Sequence, residues 1–274
     1  MNRRRLFTIA RTDLRQLRQS PDFWVPMVIL AGFFFVVAPA VLLYAVTAAG
    51  RSPAVQRVAT AIDVLPARAQ EAVQGATPAA RTSYALAVYL FAPLAVIVPM
   101  TISTAVGAAT LVGEKERGTG EFLAHSPASD TEIYLGKLIA SLLPGYLTTL
   151  VGFGVYSLIV NLIVGPKVGG WFFPTREWWV LMLWVVPPFL ALTLSVVLRL
   201  SARVKSSAAA QQASGLVTLP LIMMSYAQSS GFLFGGVASG ILVGLLAWVA
   251  AGAGLWRGAR AVTRPRLLGI DGKL

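Results

Sequence analysis

Long apolar stretches without charge dominate the chain, and they begin near residues 23, 83, 138, 178, 206 and 238. Each approaches the ~20 residues that a helix needs to cross a bilayer. The last two belong to one uncharged run over residues 206–256, which as a single helix would be far longer than the ~30 Å hydrocarbon core. We therefore predict a reversal at 228–236, either a hairpin or a re-entrant turn. The pattern predicts an all-α integral membrane protein with six transmembrane helices.

The first 22 residues carry a different, amphipathic pattern. Four apolar residues recur at helical spacing among arginines: Leu6, Ile9, Leu14 and Leu17. This spacing is typical of an interfacial helix on the inner membrane surface, although a plain basic tether has the same composition. The Arg4-Arg5 pair is similar to a twin-arginine export signal, but the charges that follow it argue against a cleaved signal. We therefore divide the chain into a cytoplasmic arm, a six-helix domain and a cytoplasmic tail, at 1–22, 23–257 and 258–274.

Charge is sparse and unevenly placed along the chain. Only 12% of the residues are charged, about half of the ~25% found in soluble domains, which is too little to cover a water-facing globule. If both termini are inside, the predicted inner segments hold 17 of the 23 Lys and Arg residues. The positive-inside rule therefore favours an N-in, C-in protein with an even number of spans. It also accounts for the net charge of +12 without nucleic acid, and the lack of cysteine excludes disulfides and thiolate metal sites.

Besides the reversal at 228–236, four loops connect the predicted spans: outer loops at 47–84 and 164–177, and inner segments at 113–131 and 199–206. In the longer outer loop, four apolar residues at helical spacing predict a short amphipathic helix, which Pro66 should interrupt. These four are Val55, Val58, Ile62 and Leu65. In the second outer loop, a group of aromatic residues predicts a belt at the membrane interface. Its members are Trp171, Phe172, Phe173 and Trp178.

Two further patterns lie within the spans. Gly236, Gly240 and Gly244 form a small-residue ridge that permits close helix packing, with a partner either in this chain or in another. Prolines recur in the spans, and each removes a backbone donor, so we expect kinks. The kinks either shape a cavity or are ordinary features of membrane helices. These prolines are Pro39, Pro93, Pro99, Pro144, Pro187, Pro188 and Pro220.

Ionisable side chains are missing from the apolar stretches as assigned from the sequence. Their absence argues against a proton-driven pump, whose relays use buried carboxylates or histidines. The single histidine, His125, falls on an inner loop, so we predict no metal site and no membrane-embedded catalytic set. Gly136-Lys137 is not a P-loop, because Thr131 stands where the motif needs glycine and Leu138 where it needs Ser or Thr. We therefore expect a non-catalytic chain that draws its energy from elsewhere.

The densest group of polar residues lies between the second and third spans. Glu114 and Arg117 are one helical turn apart, and Gly118 favours a helix end after them. Thr119 can cap a second short helix, with Glu121 in its first turn. Five of the chain's 11 acidic residues gather here, which suits docking into a partner better than it suits a plain solvated loop. The five are Glu114, Glu116, Glu121, Asp130 and Glu132.

The residues after this short helix open the third span. Ser126-Pro127 should end the short helix. Ser129 and Glu132 have the spacing of a capping box, which predicts the start of the next helix. We expect Lys137 to snorkel from that helix to the lipid headgroups.

The run Gly-Glu-Lys-Glu-Arg-Gly-Thr-Gly-Glu at 113–121, followed by Ser126-Pro127, Glu132 and Leu135-Gly136-Lys137, resembles the hallmark of ABC-2 type transporter permeases. It is most similar to the branch that contains sodium and multidrug export permeases. The six-span plan, the basic N-terminal helix and the inner C-terminus extend the resemblance over nearly the whole chain, which implies a type V exporter-like transmembrane domain. The sequence departs from the family at Gly120, where a larger apolar residue is usual.

The resemblance implies that segment 113–131 contains a coupling helix that meets an ABC ATPase subunit. The coupling residues would be Glu114, Lys115, Glu116, Arg117, Gly118, Thr119, Glu121 and Phe122. The resemblance further implies two ATPase chains, which hold ATP and Mg, and a second permease chain that is identical or homologous. This chain itself would bind no cofactor. It would lie in the plasma (inner) membrane of a prokaryote, surrounded by lipid, with both termini cytoplasmic.

Several functions remain open at the level of sequence. A permease that exports an amphiphilic or lipid-like substrate is favoured by uncharged, kinked and aromatic-rich spans. A sodium-type ion exporter belongs to the same branch of the family. A membrane scaffold or sensor would use the same ATPase without moving a substrate, and an intramembrane enzyme would act without any ATPase.

Overall fold

The structure is a computed structural model, and it describes residues 2–50, 52–60, 67–116, 125–201, 209, 212 and 237–261. Within these ranges, helices joined by short connections account for the secondary structure. In chain order they are α1 (Arg3–Gln19), α2 (Pro21–Ala49), α3 (Pro53–Thr60), α4 (Ala67–Ala72), α5 (beginning at Pro78, with its last section at Leu94–Glu116), α6 (Asp130–Ile163), α7 (Gly165–Val168), α8 (Arg176–Ser201) and α9 (Val237–Ala261).

Five of these helices are long and apolar enough to cross a membrane, judged by length and composition. They are α2, α5, α6, α8 and α9, and they correspond to five of the six spans expected from the sequence. The expected span near residue 206 and the reversal at 228–236 lie outside the described residues. So do most of segment 199–206 and all of the tail beyond residue 261.

Two of the spans begin earlier than the apolar pattern predicts. α5 begins at Pro78 because Thr77 caps it, with the Thr77 hydroxyl accepting a hydrogen bond from the Ala80 amide at 3.2 Å. α6 begins at Asp130, behind its cap Ser129. Polar caps therefore start both helices before the apolar stretches are reached. As a consequence, Lys137 lies inside α6, directly before its uncharged stretch.

Each of α2, α5 and α8 contains a π-helical turn that is closely followed by a proline. The turns are Phe33–Val37, Leu86–Leu90 and Leu181–Val185, and the prolines that follow are Pro39, Pro93 and Pro187. Proline lacks the backbone N–H that would continue the α-helical ladder, so the local pattern changes.

Carbonyl groups in two of these π turns accept hydrogen bonds from aromatic side chains of other helices. The Tyr156 hydroxyl donates to Ala87 O at 2.6 Å, and Trp178 Nε1 donates to Val88 O at 2.9 Å. The Tyr146 hydroxyl donates to Met182 O at 3.0 Å. Buried carbonyls need partners, so these bonds stabilise the π turns and join the helices that carry them.

The helix α6 packs against α1, α2, α5, α8 and α9. Two glycines of α6 allow these close approaches. A Cβ atom at Gly152 would lie 2.5 Å from the Phe35 ring of α2, and one at Gly145 would lie 2.1 Å from Ser103 Oγ of α5. Small residues let membrane helices pack backbone to side chain in this way. A movement of α6 would therefore displace the helices that pack around it.

The predicted glycine ridge of α9 packs against α8 of the same chain. A Cβ atom at Gly244 of α9 would lie 2.1 Å from the indole of Trp184 on α8. The Trp184 Nε1 group donates a hydrogen bond to Ile241 O at 3.0 Å. Gly240 is buried as well, whereas Gly236 lies outside the described residues. At Gly244, the ridge serves packing of α9 on α8.

The helix expected in loop 47–84 is present as α3, in which Val55 is buried. Ile62, Leu65 and Pro66 of the same prediction lie outside the described residues.

The aromatic belt predicted for loop 164–177 is wrong for two of its members. Phe173 and Trp178 are only 1% and 3% exposed, and in a buried cluster Trp178 stacks on Tyr156 of α6 while Phe173 meets Tyr156 edge to face. Asn161 holds the loop in place: its Oδ1 accepts from the amides of Phe172 and Phe173, both at 3.0 Å. The aromatic rings point inward because Asn161 fixes the loop backbone and the carbonyl groups of the π turn accept hydrogen bonds in the protein interior. Trp171 remains exposed.

Candidate coupling site

The segment expected to couple with an ATPase begins on the last turns of α5. Glu114, Lys115 and Glu116 belong to the helix Leu94–Glu116. The rest of the predicted coupling residues lie outside the described residues: Arg117, Gly118, Thr119, Glu121 and Phe122. The described chain resumes at His125, so the structure shows both ends of the segment and how each end is held.

The capping box predicted from the sequence is present at the far end of the segment. The Ser129 hydroxyl accepts a hydrogen bond from the Glu132 amide at 3.3 Å, and Glu132 Oε2 accepts from the Ser129 amide at 3.0 Å. This reciprocal arrangement satisfies donors that a helix N-terminus otherwise leaves open. It sets the direction in which the chain enters α6 from Ser126-Pro127.

The N-terminal helix α1 docks on this same helix start. The amide of Asn2 donates a hydrogen bond to Glu132 Oε1, and Arg5 Nη1 donates to Pro127 O at 2.6 Å. Gly136 permits close approach, because a Cβ atom there would lie 2.9 Å from Ile9 Cγ2. The helix α1 predicted from the sequence is thus present and attached to α6, and its place on the membrane surface stays a prediction.

A further attachment involves Lys137. Its Nζ atom donates to Asp13 Oδ2 of α1 at 3.2 Å and to Thr110 O of α5 at 3.2 Å. The Lys137 and Asp13 side chains are only 1% and 9% exposed. The expectation that Lys137 snorkels to the headgroups is therefore wrong, whereas the apolar stretch that follows it, residues 138–166, is without ionisable side chains as expected. The physical reason is that Asp13 supplies a carboxylate on the face of α1 that packs against α6.

A buried ion pair of this kind fixes geometry more than it adds stability. Withdrawing two charges from water is costly, and the mutual attraction roughly offsets that cost when the pair is well bonded. Removing one partner leaves the other buried without this counter-charge, which costs about 3–5 kcal/mol. The pair therefore penalises any arrangement in which α1 and α6 separate.

Other spans meet at the same end of α6. Ile133, Tyr134 and Leu138 form a small buried core with Leu194 and Leu198 of α8. A Cβ atom at Gly258 of α9 would lie 2.1 Å from the Tyr134 hydroxyl, so α9 also packs closely here. We call the contacts of Asp13, Thr110, Glu132, Gly136 and Lys137 the α6 junction. The α6 junction joins α5, which leads into the predicted coupling segment, to the start of α6, which follows the segment.

Sequence reasoning missed Asp13, Thr110 and Asn2. A signal for Asp13 was available: it is the single acid of α1, and it lies seven residues after Leu6, on the same helical face. The backbone groups of Asn2 and Thr110 carry no such signal, because any residue has them. Within the described ranges, no group of three or more His, Asp or Glu side chains is placed to hold a metal ion.

Comparison with known proteins agrees with the architecture. None of the curated proteins compared with the chain matches it. The sequence model of one protein family, described as ABC-2 family transporter protein, matches residues 7–246. The match covers most of α1, four complete candidate spans and part of α9, and it includes the whole α6 junction. The chain therefore belongs to the ABC-2 transporter family, and it is a multi-pass membrane permease of an ABC transporter.

Proposed function

We propose that this chain is the permease subunit of an ABC-2 exporter, and that a separate ATPase subunit drives it through segment 113–131. Members of the family are typically non-catalytic membrane subunits that associate with an ABC ATPase subunit. In the complex we propose, two permease chains, identical or homologous, work with two ATPase chains, which carry ATP and Mg. Both termini face the ATPase in the cytoplasm of a prokaryotic cell.

The observation that carries the proposal is the Lys137 contact with both Asp13 and Thr110. Thr110 lies a few residues before Glu114, and Lys137 lies a short distance after Ser129, so the two ends of the coupling segment are joined. A force on the segment therefore acts on α5 and α6 together, and on α1 through Asp13. Interfaces of this kind transmit small shifts as rigid-body movements.

The spans favour an amphiphilic or lipid-like substrate. No charged residue occurs in 23–50, 82–113, 138–166 or 178–198, so the middle of these helices offers apolar and aromatic surface. A strongly hydrated ion would need polar ligands in that region. An amphiphile has an apolar part that such surface accommodates.

Purification of the complex from its native membrane tests the proposal. We expect an ABC ATPase to co-purify with the permease, and amphiphiles to stimulate ATP hydrolysis in proteoliposomes. Stimulation by sodium but not by amphiphiles would indicate the sodium-exporter alternative. Hydrolysis that no substrate stimulates would indicate a scaffold or sensor, and the absence of any ATPase would contradict the proposal as a whole.

A further inference from the structure

The face of α1 that points away from α6 carries a row of arginines. Arg4, Arg11, Arg15 and Arg18 are spaced by seven, four and three residues, so they share one side of the helix. All four are exposed, whereas Leu6, Ala10 and Asp13 on the opposite side are buried. Of the carboxylates whose side chains the structure describes, none lies within salt-bridge distance of these four arginines. The arginine row is therefore available to an external anion.

The position of α1 follows from its contacts along α6. Asn2 bonds to Glu132, and Asp13 bonds to Lys137. Between these two contacts, a Cβ atom at Gly136 would lie 2.9 Å from Ile9 and 3.2 Å from the Leu6 carbonyl oxygen. All of these contacts fall at the start of α6, so α1 is held at one end of this candidate span.

Exposed tryptophans mark the depth of this helix. Trp24, which is 43% exposed, follows directly after the junction of α1 and α2. Trp256 of α9 is 57% exposed, and the Arg260 guanidinium lies 3.8 Å from its ring centroid. Since Gly258 contacts Tyr134, Trp256 lies near the section of α6 that holds α1. Tryptophan concentrates at the headgroup level of a bilayer, so α1 lies at that level.

We propose that Arg4, Arg11, Arg15 and Arg18 bind the phosphates of anionic phospholipids in the leaflet where α6 begins. Guanidinium groups bind phosphate oxygens in a bidentate manner. This face of α1 carries four of these groups and no acidic residue, so its charge complements an anionic surface. Phe7, which is 61% exposed beside the arginine row, supplies an apolar group for the boundary between headgroups and acyl chains.

The lipid site does not depend on the proposed export function. Its consequence is that anionic lipid holds α1, and Asp13 links α1 to the α6 junction. The composition of the leaflet can then act on the same junction that the coupling segment acts on.

The test uses the full-length permease in neutral detergent micelles, titrated with phosphatidylglycerol or with phosphatidylcholine and followed by native mass spectrometry. We expect phosphatidylglycerol to bind more tightly. Substitution of the four arginines by glutamine should lower the affinity for phosphatidylglycerol at least about tenfold, because each cation near an anionic surface increases the affinity several-fold. Phosphatidylcholine binding should not change. Substitution by lysine should retain most of the affinity.

The matched control removes four exposed cations of other helices and loops: Arg57, Arg81, Lys167 and Arg176. Their replacement by glutamine should leave phosphatidylglycerol binding within about twofold of the wild type. Charges on other helices and loops contribute little to binding at the arginine row, because salt screens interactions beyond the Debye length of ~10 Å. If the glutamine variant of α1 fails to fold, a salt titration of the wild type is the alternative test. Added salt should then weaken the binding of phosphatidylglycerol but not the binding of phosphatidylcholine. Equal losses in both variants, or affinity insensitive to salt, would overturn the proposal. Loss of a bound protein with lipid binding intact would overturn it too, and would identify the arginine row as a protein interface.

Discussion

Lys137 of α6 forms a buried ion pair with Asp13 of α1 at 3.2 Å, although 124 residues separate them in the sequence. The same ammonium group donates to the backbone of Thr110 in α5. One side chain therefore joins the N-terminal helix to the two spans that flank the predicted coupling segment.

Replacement of one partner in the pair should destabilise the protein strongly. Lys137→Met leaves Asp13 buried without its cation, and we expect a loss of about 3–5 kcal/mol, seen as a lower thermal midpoint in detergent. Adding Asp13→Leu should recover part of the loss, because the double variant buries no unpaired charge. Lys167→Met, at an exposed cation, is the control and should have little effect. Strictly additive effects of the two single substitutions would show that the pair is not coupled.

Contact between α1 and α6 requires a residue without a side chain at position 136. Gly136→Leu should displace α1, because even a Cβ atom would lie 2.9 Å from Ile9. Gly154→Leu is the matched control in the same helix, since nothing lies within 4 Å of a Cβ atom there. Limited trypsin digestion provides the readout: the arginines of α1 should be cleaved faster in the Gly136 variant. Equal cleavage of the two variants would show that this contact does not hold α1.

The loop between α6 and α8 depends on Asn161. Its side chain accepts from two amides and donates to Ser157 O and Phe173 O. Asn161→Ala leaves buried backbone groups unpaired at about 1–3 kcal/mol each, so the thermal midpoint should fall well below that of Ser157→Ala, which removes one bond. Near-ultraviolet circular dichroism should also lose the signal of the Phe173 and Trp178 cluster. Similar midpoints for both variants would contradict the clamp.

The glycine ridge of α9 should act within the chain and not between chains. Gly244→Leu collides with Trp184, whereas Gly252→Leu meets open space on the same helix. We expect the first variant to lower the thermal midpoint, since overpacking typically costs about 1–3 kcal/mol, and the second to have little effect. If Gly244→Leu instead left the midpoint unchanged and altered only the oligomeric state, the ridge would be a subunit interface.

The sequence predicts the elements that depend on local pattern. The presence of five spans follows from apolar length, and the opening of α6 follows from Ser129 and Glu132. Burial of Lys137 could not be predicted in this way, because it depends on a carboxylate far away in the chain. Phe173 and Trp178 were misplaced for the same reason: their positions follow from Asn161 and from the Val88 carbonyl of a π turn.

The coupling segment itself provides the most direct test of the account. The permease is reconstituted with its co-purified ATPase, and ATP hydrolysis and binding of the ATPase are measured for the triple variant Glu114→Ala, Glu116→Ala, Glu121→Ala. Asp63→Ala, Glu71→Ala, Glu177→Ala is the matched control, which removes three acids from predicted outer segments. We predict that the first variant inserts normally but loses ATPase binding or substrate-stimulated hydrolysis, while the control retains both. Full binding and full stimulated hydrolysis in the first variant would contradict the assignment of segment 113–131 as the coupling site.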